Sequence, residues 1–242
     1  MELDCRNIQE ETASYSNYDN IITVSKTAEI SFKKVYGQVG EIATIYNPID
    51  VDDIKISGNE SIVEYNRDVP NIVTVGRLVT QKGYDILLKV MKKLNEDGFN
   101  FKLRILGEGE QKEELEDFIK QNHLQKNVEL IGFKKNPYPY IASSDLFVCS
   151  SRSEGYSLVI AEALVLGIPV VSTYCSGPNE LLGEGKYGML LANNEEGTGL
   201  YEGLKQLLTD SGLLAIYEQK AIKRGNYFSL KRVMNEIEKL FY

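Results

Sequence analysis

The sequence predicts an α/β protein built on a doubly wound, Rossmann-like parallel sheet, and three observations carry that prediction. From Asn71 onward, short strand-like runs alternate with longer helix-like ones, the pattern of a parallel sheet whose strands are joined by crossover helices. Several strand-like runs end in loops of glycine, small residues or cations, as in Gly76-Arg77, Gly107-Glu108-Gly109 and Ser150-Ser151-Arg152-Ser153; the carboxyl ends of strands are where such sheets bind ligands. With 242 residues and 43% hydrophobic content the chain can bury a core, as one large domain or two smaller ones.

Composition removes several function classes. A net charge of −8 argues against a nucleic-acid partner, which needs a basic footprint. No apolar run is long enough to span a bilayer and no signal-peptide pattern opens the chain, so it reads as cytoplasmic. Cys5, Cys149 and Cys175 are odd in number and far apart, which suits reduced thiols rather than a disulfide framework. His123, the single histidine, reads as a surface residue at a helix end. One histidine excludes zinc sites built on several and disfavours a Ser-His-Asp hydrolase.

In chain order, Asn20 to Val24 reads as a strand and Ser25 as the N-cap of a helix carrying Ala28, Phe32 and Val35 inward. Ile42 to Tyr46 reads as a second strand before Asn47-Pro48. Two short strands do not make a stable sheet, so residues 1–49 read as the end of a domain. Residues 50–70 are polar and patternless and are taken as a linker.

Ile72 to Val75 is the first strand of the main domain, 71–228, followed by Gly76 to Gly83 and a helix with Leu87, Leu88, Met91 and Leu94 on one face. Gly76 lets the backbone turn, and Arg77 and Lys82 place two cations at a helix start, where anions are favoured. The loop is not a Walker A element. The strand Lys102 to Leu106 ends in Gly107-Glu108-Gly109-Glu110, which imitates a dinucleotide fingerprint, but Lys112 replaces the third glycine; it reads as a structural turn. Val128 to Phe133 is the next strand, and the loop Phe133 to Asn136 leaves its carboxyl end; Phe133 reads equally well as ordinary core.

The most informative stretch runs from Ser150 to Leu164, after the strand Asp145 to Cys149. Leu158 to Leu166 reads as a helix apolar on every side, hence buried, with Glu162 its only charge. A buried carboxylate needs a partner. Ser157 could cap this helix, but the capping-box position falls on Ile160, so Glu162 is not a cap. Glu154 lies in the turn before the helix, so both carboxylates and the free N–H groups of the helix start can face one crevice. Pro169 to Thr173 is the next strand, Cys175 to Glu180 a small-residue loop, and 197–242 are helical, with a last amphipathic helix, 229–242, through Val233, Ile237 and Leu240.

Glu154 and Glu162, set in EGYSLVIAEAL, resemble the Glu-x7-Glu element of the group 1 family of retaining glycosyltransferases. The resemblance runs from about Ile21 to the C-terminus. Gly76-Arg77 and Lys82-Gly83 resemble the family's diphosphate-binding G-x-R-x-x-x-x-K-G element, with the arginine one residue nearer the first glycine. Cys175 to Glu180 resembles its loop near the donor sugar. The resemblance implies the C-terminal, donor-binding half of a two-domain GT-B fold. Residues 1–49 are then the end of an acceptor-binding domain of which most is absent, and the last helix crosses back to it.

Roles follow from the resemblance. Arg77, Lys82 and the N–H groups around Tyr156 to Leu158 would stabilise charge growing on the diphosphate leaving group. Glu154 would hold sugar hydroxyls near the reacting centre, as a catalytic residue with Arg77 and Lys82, and Glu162 would hold the ribose. Gly76, Phe133, Lys134, Gly155, Tyr156, Ser157 and Leu158 complete the donor site, with the base over Phe133 and Lys134. No cofactor and no metal is expected, since no Asp-x-Asp element stands out. The expected partners are a nucleotide-sugar, taken as a UDP-sugar, and a saccharide or lipid-linked acceptor in surface polysaccharide synthesis, with peripheral contact at the inner face of the membrane through the absent domain. By itself the chain is expected to bind donor and transfer poorly. A nucleotide-sugar-binding module without activity and an NAD-type oxidoreductase are the competing readings, and binding of UDP, GDP and NAD separates them.

Overall fold

The computed structural model describes residues 5–60 and 68–239. The chain divides into two units, Met1–Ile49 with Ser229–Tyr242, and Asp50–Phe228.

The first unit opens with α1 (Cys5–Tyr15), which the sequence pattern does not mark, followed by β1 (Asn20–Thr23), α2 (Lys26–Tyr36) and β2 (Glu41–Thr44). The two strands pair in parallel with Asn20 opposite Glu41. Ser25 caps α2 as its sequence position predicts, its side chain accepting from Ala28 N at 3.1 Å. Phe32 packs edge-on to Tyr15, ring centroids 4.8 Å apart.

The stretch read as a patternless linker contains a helix, α3 (Val51–Gly58), and residues 61–67 of it lie outside the described residues. Asp50 caps α3, accepting from Asp53 N at 3.0 Å, and Ile54 is buried. Asp50 followed by Val51 and Ile54 was the available signal: a cap residue and two apolar positions on one face.

The second unit is a six-stranded sheet. β3 (Asn71–Val75), α4 (Tyr84–Glu96), β4 (Lys102–Leu106), α5 (Lys112–Gln121), β5 (Val128–Gly132), α6 (Tyr138–Ala142), β6 (Leu146–Cys149), α7 (Leu158–Val165), β7 (Val170–Thr173), α8 (Ser176–Leu181), β8 (Met189–Leu191), α9 (Thr198–Thr209) and α10 (Ser211–Gly225) follow one another. The strand order is β5-β4-β3-β6-β7-β8 with every pairing parallel. Strands β6 and β7 are buried along their whole length, because helices cover both faces of a parallel sheet. The predicted helix face Leu87, Leu88, Met91 and Leu94 is fully enclosed against Ile72, Leu103 and Val148. Helix α6 and strand β8 are short elements without a clear period, and the sequence pattern does not mark them.

The order places β3 beside β6, with β4 and β5 to one side and β7 and β8 to the other. The chain therefore reverses its direction of winding between β3 and β6, and in open α/β sheets ligands bind in the crevice outside such a switch point. The last described helix, α11 (Leu230–Glu238), belongs to the first unit and is capped by Ser229; Leu240, assigned to it by the sequence pattern, lies outside the described residues.

Candidate functional site

The two loops singled out by sequence leave the two strands that flank the switch point. The loop after β3 ends in a 3-10 turn, Thr80–Lys82, and in Gly83, whose φ of 66° is left-handed. A Cβ at Gly83 would run into the carbonyl of Ser150 in the loop after β6. Only glycine therefore lets these loops meet. They are joined by Ser150 Oγ donating to Lys82 O at 2.9 Å, Arg152 N to Gln81 O at 2.8 Å and Gln81 Nε2 to Ser153 O at 2.9 Å.

This contact brings Lys82 and Glu154 together. Lys82 Nζ donates to both carboxylate oxygens of Glu154, at 2.9 and 3.0 Å, with the side chains only 18% and 10% exposed. Gly76 leaves room for the arrangement, since a Cβ there would stand 2.8 Å from Tyr84 Oη and 3.4 Å from Lys82 Cε. The sequence assigns Lys82 and Glu154 to different parts of a ligand; the structure couples them as one ion pair. The Arg77 side chain, in contrast, is exposed and makes no hydrogen bond or ion pair among the described residues.

Beyond Glu154 the loop turns into α7. Gly155 borders open space, with nothing within 4 Å of a Cβ placed on it. Its other side is tightly held: a Cβ on Gly177 would lie 2.7 Å from Gly155 O, and Gly177 N and Ser176 Oγ donate to Glu154 O at 2.9 and 3.1 Å. Tyr156 is half-buried, which pushes its phenol up to about 12. Ser157 stands at the N-cap but makes no cap hydrogen bond, and its buried Oγ has no partner. The N–H groups of Ser157, Leu158 and Val159 likewise donate to nothing among the described residues. Unpaired N–H groups and the positive end of the helix dipole together favour an anion.

Helix α7 is not buried on every side, as the sequence pattern had it. Leu158 is 44% exposed, and Val159 and Glu162 are half-buried. Glu162 lies one helical turn on from both Leu158 and Val159, so the three share one face. The partner that Glu162 requires is Tyr138 of α6, whose Oη donates to Glu162 Oε1 at 3.3 Å. Burial raises the Glu162 carboxyl above its ordinary value, and the Tyr138 bond opposes that shift. Tyr138 is itself pushed up to about 12 by burial and by the Glu162 charge.

Phe133 and Lys134 stand apart from this cluster. Phe133 is 72% exposed and so is not core. Lys134 Nζ lies 6.0 Å from the Tyr140 ring centroid. They follow β5, the outer strand two places from β3, and no hydrogen bond or ion pair among the described residues ties either side chain to Lys82 or Glu154. The turn after β4 is a prop: Leu78 N donates to Glu108 O at 2.9 Å and Gln111 N to Leu78 O at 3.0 Å, which supports the loop carrying Arg77. His123 is exposed. Cys149 and Cys175 are buried free thiols, and burial pushes Cys175 up to about 11. Among the described residues no cluster of His, Cys, Asp and Glu could hold a metal ion, and no helix is long and apolar enough to cross a membrane.

The sequence model of the family described as glycosyl transferases group 1 matches residues 59–224. The chain belongs to this family.

Among relatives of this chain is the N-acetylgalactosamine-N,N'-diacetylbacillosaminyl-diphospho-undecaprenol 4-alpha-N-acetylgalactosaminyltransferase of Campylobacter jejuni. It is 35% identical over 193 residues, which cover 79% of this chain and 51% of that protein. The amylovoran biosynthesis glycosyltransferase AmsD of Erwinia amylovora is 31% identical over 199 residues, 81% of this chain and 52% of that one. The chain thus spans about half the length of these relatives. In fold it is similar to Anabaena Alr3699/HepE in complex with UDP, with a TM-score of 0.84 at 20% identity over 99% of this chain and 68% of that one. It is also similar to a glycosyltransferase from Rickettsia africae, with a TM-score of 0.84 at 17% identity, covering 100% of this chain and 67% of that one.

Two side chains join the site without being marked by sequence. Tyr138 reaches Glu162 across 24 residues, and Arg152 bonds Asp85 across 67. The only cation in the turn Ser150 to Ser157, together with Asp85 just inside α4, was the one local signal for the second pair.

Proposed function

We propose that the chain supplies the donor site of a retaining glycosyltransferase, which moves a sugar from a UDP-sugar to a saccharide or lipid-linked acceptor in surface polysaccharide synthesis. The observation that carries the reading is the convergence at the switch point of Lys82 and Glu154, the unpaired N–H groups of Ser157, Leu158 and Val159, and the exposed face of α7 bearing Glu162. The named acceptor chemistry of the Campylobacter protein and the UDP bound to the Anabaena protein support the two substrate classes. Residues 50–228 then form the donor domain, and 1–49 with 229–242 belong to the acceptor side.

When the bond between the anomeric carbon and the diphosphate breaks, the electron pair leaves with the diphosphate. Arg77, Lys82 and the start of α7 take up that charge in a partly enclosed crevice, where fixed donors act more strongly than in water. Protein cations do this work, and the reading calls for no metal. Glu162 accepts from ribose hydroxyls, held in place by Tyr138, and Glu154 accepts from sugar hydroxyls beside Lys82. Phe133 and Lys134 meet the base. The reaction belongs to the cytoplasm, at the inner face of the membrane.

Calorimetric titration of the chain with UDP, GDP and NAD tests the reading. UDP is expected to bind, and NAD not. Binding of NAD in preference to both diphosphates would replace the reading with an oxidoreductase.

A further inference from the structure

We propose that Arg152 is a positioning residue that sets the separation between the loop bearing Lys82 and the loop bearing Glu154, and so controls affinity for a diphosphate; the proposal rests on the donor-site reading above. Its guanidinium reaches three segments. Nη1 donates to Thr80 O and to Asp85 Oδ1, both at 2.7 Å. Nη2 donates to Asp85 Oδ2 at 2.8 Å and to Glu195 Oε2 at 2.5 Å, and Nε donates to Glu195 Oε1 at 2.8 Å. All the N–H donors of an arginine are thereby used in one planar fork. A lysine, a point charge with three donors, has no such geometry.

The backbone around Arg152 is held as firmly. Arg152 N donates to Gln81 O, and Asn193 Nδ2 donates to Arg152 O at 3.0 Å and to Ser151 O at 3.2 Å. The guanidinium is 22% exposed and Asp85 23%, and Arg152 holds the Asp85 carboxyl below its ordinary value. Ordinary surface ion pairs contribute little to stability. Here the consequence is geometric. Thr80 precedes Lys82 by two residues and Arg152 precedes Glu154 by two, so the Arg152 to Thr80 bond ties the loops one step behind the pair that faces the crevice. A ligand that bridges Lys82 and the start of α7 senses that spacing. A nucleoside resting on the Glu162 face of α7 does not.

Uridine and UDP are titrated calorimetrically into the wild-type chain, Arg152→Lys and Arg152→Ala. The expected result is a UDP affinity lowered about tenfold or more in both variants, the scale of one lost charge-assisted contact, with uridine affinity unchanged. Equal losses for both ligands mark Arg152 as merely structural, and unchanged UDP affinity removes its role; either overturns the proposal. Failure of the wild-type chain to bind UDP refutes the donor-site reading instead. Should neither Arg152 variant fold, Glu195→Gln carries the test, because that side chain is 65% exposed. It is expected to show a smaller loss confined to UDP, and no loss overturns the proposal.

Discussion

Replacing Glu154 by glutamine should tighten the binding of bare UDP, although Glu154 is assigned to the sugar. In the free protein Lys82 Nζ already spends two contacts, at 2.9 and 3.0 Å, on the Glu154 carboxylate. A diphosphate oxygen must displace or share them, and it meets the repulsion of the carboxylate as it does so. Hydrogen bonds to charged groups contribute about 1.5–3 kcal/mol. With the side chains 18% and 10% exposed, solvent screens the pair weakly. Glutamine still accepts one bond from Lys82, so the gain is set at the lower end of that range, about 1.5 kcal/mol or a little over tenfold in Kd. Calorimetry with UDP on the wild type, Glu154→Gln, Lys82→Ala and the double variant reads this directly. In the Lys82→Ala background the gain should shrink, because competition for the cation has gone. A UDP-sugar should gain less than UDP, since the sugar loses its charged acceptor. Unchanged or weaker UDP binding by Glu154→Gln, or an equal gain in both backgrounds, would refute the coupling of the two residues.

Three further outcomes follow from the same geometry. Arg77→Ala should weaken UDP by about 1.5–3 kcal/mol without moving the thermal midpoint, because the exposed guanidinium has no partner to lose among the described residues; a shifted midpoint would show a structural role. The Glu162 carboxyl is raised above its ordinary value of 4.5 by burial, so its ionisation costs the folded state more than the unfolded one. That cost is absent below 4.5 and is fully present once pH exceeds the raised folded value. Glu162→Gln should therefore gain stability relative to wild type as pH climbs above 4.5, in denaturant titrations across that range, while it loosens UDP; a stability difference that is flat with pH would contradict the assignment. Gly83→Ala should destabilise the second unit by about 1–3 kcal/mol, since the left-handed φ of 66° and the Ser150 carbonyl both oppose a Cβ; urea unfolding at wild-type stability would show that the loops can part without loss.

Much of the fold was legible because it is local. The alternation of strand and helix after Asn71, the inward face Leu87, Leu88, Met91 and Leu94, and the cap at Ser25 all depend on residues within a few positions of one another. Helix α3 carried a local signal as well, in Asp50, Val51 and Ile54, but it is short and its polar setting resembles a linker. Glu162 announced that it needed a partner, because a lone carboxylate in an apolar helix costs too much otherwise. The identity of that partner, Tyr138, was not legible, since α6 is five residues long and shows no period.

By itself, then, the sequence determined the longer strands and helices of the main domain and which loops carry charge, because backbone propensity and side-chain period act over one or two turns; the short elements α3, α6 and β8 and the opening helix α1 escaped it. Only the tertiary structure decided that β3 lies beside β6. That order depends on which apolar faces cover which others across the whole sheet, and no short stretch encodes it. It places Lys82 against Glu154 across 72 residues and closes Arg152 on Thr80 and Asp85. Two charges that the sequence could assign only one at a time thereby become a single coupled site.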